Sequence, residues 1–286
     1  MKESIFLCGK KLAALLTGAM LLSIAAGCTK TNEINDSAAV PANAPASGSS
    51  AAESTDAPTD SGAEAETSSP TDENGNTSIH VVAVGDNLVQ QCVYQSAQAH
   101  SQDGTSYNFD YCYDNVKPLI NGDLNIINQE TLICGDGFEV SGSNFNFNSP
   151  VELGDAVVDM GFNVITMCNN HLLDKGESGL NGCLNYWDQK MQQYPDILAC
   201  GVYRDYVDMQ HIRTKEFNGK TVAFLSYTEN TNGYSLPNNS ELEIIYPSLE
   251  DLIQQQIAAA KEIADVVVVT CHWGVEDTYN VTDGVK

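Results

Sequence analysis

Four short segments of this 286-residue sequence carry side chains that can hold metal ions or move protons. They are Gly85-Asp86-Asn87, Asn128-Gln129-Glu130, Cys168-Asn169-Asn170-His171 followed by Asp174-Lys175-Gly176, and Cys271-His272-Trp273-Gly274-Val275-Glu276. Each follows an apolar, strand-like run. Carboxylate and amide oxygens mixed with imidazole nitrogens point to a site for Mn, Zn or Fe rather than to a thiolate site. A pair of such ions can activate water and clamp a phosphate-like oxyanion. Taken singly, each segment has an ordinary reading. Gly-Asp after a strand makes turns, Asn-Asn makes bent loops, and a histidine beside tryptophan is commonly half-buried. Their joint placement at strand ends is what points to a site.

The elements that must position them alternate between strand and helix. Apolar runs predict strands at Ile79–Val84, Leu124–Asn128, Asn163–Met167, Ile197–Gly201, Ile212–Phe217, Thr221–Tyr227 and Val266–Cys271. Val266-Val267-Val268-Val269 is apolar on both faces, the pattern of a central strand covered by helices. Ser149-Pro150-Val151-Glu152 opens a helix, with Leu153, Ala156, Val157 and Met160 on one face and Gly161 at its end. Ser248-Leu249-Glu250-Asp251 opens a second, whose buried stripe is Leu249, Leu252, Ile253, Ile257, Ala260 and Ile263. Asn218-Gly219 between two strands predicts a hairpin, so the sheet is mixed. The class is α/β with mainly parallel connections, and ligand sites in such sheets gather at strand C-termini.

The first 28 residues read as an address. Lys2, Lys10 and Lys11 precede the apolar stretch Leu12 to Ala26, which is short for a bilayer span and fits a signal peptide. It ends Ala25-Ala26-Gly27-Cys28, a lipobox-like sequence that predicts lipid attachment at Cys28 and a membrane-anchored, extracytoplasmic lipoprotein. An ordinary signal peptide or an uncleaved anchor that contains Cys28 is the alternative. Residues 29–78 are rich in Ala, Ser, Thr, Pro and acids, and predict a disordered acidic tether.

Residues 79–286 then form one domain. Of the net charge of −25, the leader carries +2 and the tether −8, leaving −19 on the domain. That balance excludes a basic groove and therefore a nucleic-acid partner. Seven cysteines fall in the domain, none in a C-x-x-C pair, which argues against a zinc ribbon or thioredoxin-type motif. Cys134, Cys168, Cys200 and Cys271 lie in or beside apolar runs and are expected as buried thiols. A Cys92–Cys112 pair is left open.

Val84-Gly85-Asp86, Asn128-x-Glu130, Asn169-Asn170-His171 with Asp174 and Gly176, and His272-Trp273-Gly274-x-Glu276 resemble, in order, the motifs of the CapA (poly-γ-glutamate capsule synthesis) family. The resemblance covers Ile79 to about Glu276. It implies a calcineurin-like, metallophosphatase-like αββα sandwich with mixed sheets and a two-metal site at one edge. By position, Asp86 would bind the first metal and Glu130 would bridge both. Asn170 and His272 would bind the second. His171 would act as acid or charge stabiliser, Asp174 would orient it, and Asn128 and Glu276 would support the ligands.

Family members continue into a Gly-His-His-Pro-His-like segment that this sequence lacks, and Gly85-Asp86 has no nearby histidine. A C-terminally truncated domain is the expectation, a degenerate site the alternative. The implied function is an extracytoplasmic hydrolase acting on a surface polymer or on phosphate- or amide-linked substrate. An inactive, lipid-tethered binding or assembly component is the competing class, and a secreted nucleotidase-type phosphoesterase a third.

Overall fold

The computed structural model describes residues 77–143 and 146–275. The leader, Cys28, the tether to residue 76 and Glu276 lie outside the described residues. Along the chain run β1 (Val81–Asp86), α1 (Gln91–Ala99), α2 (Asp110–Tyr113), β2 (Leu124–Asn128), β3 (Ser141–Ser143) and β4 (Asn146–Asn148). Next come α3 (Val151–Asp159), β5 (Val164–Thr166), α4 (Gly176–Gln193), β6 (Leu198–Cys200) and α5 (Tyr206–Met209). The described chain closes with β7 (Arg213–Phe217), β8 (Lys220–Thr228), α6 (Glu250–Ile263) and β9 (Val266–His272).

Two sheets form the centre. One is fully parallel in the order β1-β2-β5-β6; the other, β7-β8-β9, joins an antiparallel hairpin to a parallel strand. The hairpin turns through Asn218 and Gly219, both at positive φ, as a two-residue turn of this kind requires. A small antiparallel ladder, β3-β4, stands apart from both.

Side-chain alternation assigns each residue a layer. Leu124, Ile126, Val164, Cys200, Val222 and Phe224 face one another between the sheets. Ile127, Ile165 and Ala199 point the other way, against Val157 of α3 and Leu180, Cys183, Leu184 and Trp187 of α4. On the far side, Ala223, Leu225 and Tyr227 of β8 meet Ala260 of α6. The layering is therefore α-β-β-α, as expected. Each fully buried aliphatic side chain in these seams contributes about 1.5–3 kcal/mol against exposure. Trp187 is wholly buried, and Tyr186 beside it donates its hydroxyl to the Val151 carbonyl, tying α4 to the start of α3.

Several expectations need correction. The first strand begins and ends two residues later than predicted, which brings Asp86 into it. Ser149 does not cap α3: Pro150 takes the cap position, and the Ser149 hydroxyl instead pairs with Thr131 at 2.8 Å. The second helix likewise starts at Glu250 with no side-chain cap. Gly161 does end α3, at φ 97°. Among the described residues β9 is an edge strand rather than a central one, and Val266 and Val269 stay exposed. All seven domain cysteines are free thiols, Cys92 and Cys112 included, and Cys134, Cys168, Cys183 and Cys200 are buried.

Candidate metal centre

The parallel register places Asn128 on the face where Leu124 and Ile126 meet the other sheet, because residues two apart share a face. β1 should not present Asp86 there. Val84 pairs with Ile127, so regular alternation would turn Asp86 towards the outer helices. The register instead shifts between Val84 and Asp86, and Asp86 itself pairs with Asn128. This one-residue bulge re-aims the carboxylate into the seam, a recurrent use of bulges beside functional sites. Asn128 Nδ2 then donates to Asp86 Oδ1 at 2.5 Å. β9 ends on the same inner face as Val268, which brings His272 across from the second sheet.

Asp86, Glu130 and His272 each offer a ligand atom, and these atoms lie within 4.8 Å of one another. His272 Nδ1 is 3.4 Å from Asp86 Oδ1, and its Nε2 is 3.9 Å from Glu130 Oε1. Glu130 is buried and Asp86 half-exposed. The hydrogen bond from His272 holds the Asp86 carboxyl below its ordinary range, against the opposing effect of burial and with help from Asn128. Glu130 moves the other way. Burial raises it first and the Asp86 charge second, with His272 and His171 opposing.

A second group abuts the first. His171 Nε2 stands 3.8 Å from Glu130 Oε1, while its Nδ1 bonds Asp174 Oδ2 at 2.8 Å. That bond orients the ring with Nε2 on the side of Glu130. The same Asp174 oxygen accepts the Phe147 backbone N–H at 2.8 Å, so β4 anchors the pair, and the Phe147 ring meets His171 edge-on. Asn169 closes the turn, donating to the Met167 and Gln129 carbonyls and accepting from the His171 N–H.

The sequence-predicted residues therefore divide clearly. Asp86, Glu130 and His272 come together, Asn128 braces Asp86, and His171 with Asp174 forms a dyad against Glu130. Asn170, next in the chain to His171, directs its Nδ2 to Asn232 Oδ1 at 3.2 Å. Two neighbours went unnoticed in the sequence: Asn232, and Glu229, whose carboxylate accepts the Gly274 N–H at 3.0 Å. Both follow β8, so the strand-end rule that found the others could have found them.

The donor set fits a divalent cation. Two carboxylates and two imidazoles converge with a third carboxylate, Asp174, behind them. The buried oxygen Asn170 Oδ1 has no hydrogen-bond partner, an arrangement that suits a metal-facing amide. A cation held there supplies a Lewis acid for a phosphoryl or carbonyl oxygen and a nucleophile at neutral pH.

Fold and site thus define an α/β sandwich protein with a carboxylate–imidazole centre at the C-terminal ends of strands from both sheets. The chain belongs to the bacterial capsule synthesis protein family PGA_cap, whose sequence model matches residues 80–286. It is similar to the capsule biosynthesis protein CapA of Bacillus anthracis, at 24% identity over 215 residues covering 72% of this chain and 49% of that one. It is also similar to the PGA biosynthesis protein CapA of Bacillus subtilis (strain 168), at 32% identity over 118 residues covering 41% of this chain and 30% of that one. The chain thus spans half or less of these relatives. A crystal structure assigned as a 5'-nucleotidase from Staphylococcus aureus, in complex with alpha-ketoglutarate, overlaps 69% of this chain and 38% of its own at TM-score 0.39 and 16% identity. That overlap is too slight to inform the site.

Proposed function

We propose that this protein serves the synthesis of a poly-γ-glutamate capsule or a related cell-surface polymer, as a metal-dependent hydrolase of phosphate- or amide-linked substrate. The observation that carries the reading is the convergence of Asp86, Glu130 and His272 within 4.8 Å, with the His171–Asp174 dyad against Glu130. Asp86, Glu130 and His272 would hold a divalent ion (Mn, Zn or Fe), and Glu130 with Asn170 a second; the resemblance assigns His272 to the second ion, and its ring 3.4 Å from Asp86 favours the first. His171 is placed to give or take a proton at Nε2, with Asp174 holding the ring. Both relatives' names point to capsule or PGA biosynthesis. Attachment through Cys28 would place the domain outside the cytoplasmic membrane. Among the described residues no helix is long and apolar enough to cross one.

The competing reading is a lipid-tethered assembly component without catalysis. It is favoured by the cleft of about 530 Å³ that the loop after β8 forms with Glu229, Tyr234, Glu243 and Tyr246 in its lining, where among the described residues no lysine or arginine stands to clamp an anion. Full-length protein loaded with Mn or Zn should hydrolyse aryl phosphoesters or poly-γ-glutamate, and Asp86→Ala should abolish this. Turnover absent with every metal, or unchanged in the variant, sinks the hydrolase reading and leaves the assembly one. Labelled fatty acid should enter the wild type and not Cys28→Ser.

A further inference from the structure

Among the described residues only two non-glycine residues adopt positive φ, Asn218 at 50° and Asn232 at 52°. Asn218 sits in the β7-β8 hairpin, where the turn demands it. Asn232 does the same in the loop after β8: the Tyr234 N–H closes a tight turn on the Thr231 carbonyl at 2.9 Å, Gly233 follows at φ 79°, and Asn230 Oδ1 accepts the Asn232 backbone N–H at 3.0 Å. The turn fixes where the Asn232 carboxamide projects. Asn232 Oδ1 accepts Nδ2 of Asn170 at 3.2 Å, and Asn232 Nδ2 lies 3.4 Å from His171 Nδ1. His171 Nδ1 already has Asp174 at 2.8 Å, the shorter and charged bond, so Asn170 is the residue that Asn232 orients.

The two ends of a carboxamide are nearly equal in shape, but only the oxygen binds a hard cation well. An acceptor at one end decides which way the group faces. With its nitrogen bonded to Asn232, Asn170 keeps its oxygen buried and without a hydrogen-bond partner. We infer that Asn232 is a positioning residue for the metal centre, fixing the Asn170 carboxamide so that its oxygen is the atom offered as a ligand. This rests on the metal-binding reading above.

Asn232→Gly tests it, because glycine accepts positive φ freely and removes only the side chain. Mn²⁺ affinity of the full chain is read from the electron paramagnetic resonance signal of the free ion, and metal-free melting is recorded beside it. The glycine variant should bind Mn²⁺ about 10–100-fold more weakly, as the loss of an outer-shell partner typically does, and melt no lower than the wild type. Asn232→Asp keeps an acceptor for the Asn170 nitrogen and should bind more tightly than the glycine variant. Wild-type affinity in Asn232→Gly, a metal-free melting point that falls along with affinity, or an aspartate variant no better than glycine each overturns the inference. A wild type that binds no Mn²⁺ removes the metal reading and this one with it; tight binding in both wild type and Asn232→Gly removes this one alone.

Discussion

Replacing Glu130 by glutamine should separate stability from metal binding in this domain. Glu130 is buried, and the His171 and His272 imidazoles stand 3.8 and 3.9 Å from its carboxylate, beyond hydrogen-bond reach. Its carboxylate shares a 4.8 Å cluster with Asp86. Two like charges at that separation repel by about 3.5 kcal/mol at an effective dielectric of about 20. Asp86 is half-exposed, and solvent screening reduces the repulsion to about 1–2 kcal/mol. Glutamine removes it at almost constant shape, and loss of a buried, poorly paired charge is commonly stabilising. For a domain of this size, about 2–4 °C per kcal/mol, metal-free Glu130→Gln should melt about 2–8 °C above the wild type at pH 7.5.

The sign follows from the direction of the shift. Glu130 is raised above its ordinary 4.5 on folding, by burial and then by Asp86. Its protonated form therefore supports the folded state at low pH, and that support is lost as pH rises through the raised value. The gap between variant and wild type should be nil near pH 4 and open as the pH climbs past 4.5. Metal reverses the ranking. An ion at a hundred times its Kd stabilises the wild type by about 2.7 kcal/mol, or about 5–10 °C, and should leave the variant nearly unmoved. Thermal melts at several pH values, with and without Mn²⁺, read both effects. Equal metal-free stability at pH 7.5 together with an equal response to metal would refute the reasoning.

Other expectations are simpler. Asp174→Ala strips the acceptor from the Phe147 N–H and from His171; it should cost about 1–3 kcal/mol in denaturant melts and cut turnover about 10²–10⁴-fold, with His171→Ala/Asp174→Ala no slower than His171→Ala alone. Gly154→Ala, normally a gain inside a helix, should instead destabilise by about 1–3 kcal/mol, since a β-carbon would sit 2.1 Å from the Tyr186 hydroxyl; a higher melting point would contradict the packing. Asp208 is held below its ordinary 3.8 because hydrogen bonds from Arg204 N–H and Arg213, with the Arg213 charge, outweigh burial. Asp208→Asn should therefore lose stability above pH 4, and the deficit should vanish as acid titration passes through the lowered value.

Seven of the nine strands among the described residues, the α/β class and the candidate ligand types were legible in the sequence because they rest on local pattern, while the short β3-β4 ladder was not. Asp86, Glu130, His171 and His272 stand beside apolar runs whose C-termini had to share an edge, and the Asn218-Gly219 hairpin follows from residue types that tolerate positive φ. Ser149 shows where local reasoning stops. Its cap signature lost to Thr131, a partner 18 residues away whose hydroxyl it meets in a buried seam. The valine run of β9 announced burial on both faces, but its place in the sheet depends on which strands pair with it. The site itself needed three long-range facts. The β1 bulge turns Asp86 inward only when its ladder with β2 is laid out. Asp174 acts through β4, whose N–H it holds at 2.8 Å from 27 residues away. Asn232 reaches Asn170 from 62 residues away. Sequence determined which chemistry the chain can offer, because residue type and strand period are local properties. Tertiary structure alone decided which atoms face one another, because register, bulge and loop placement are set by packing between segments far apart in the chain.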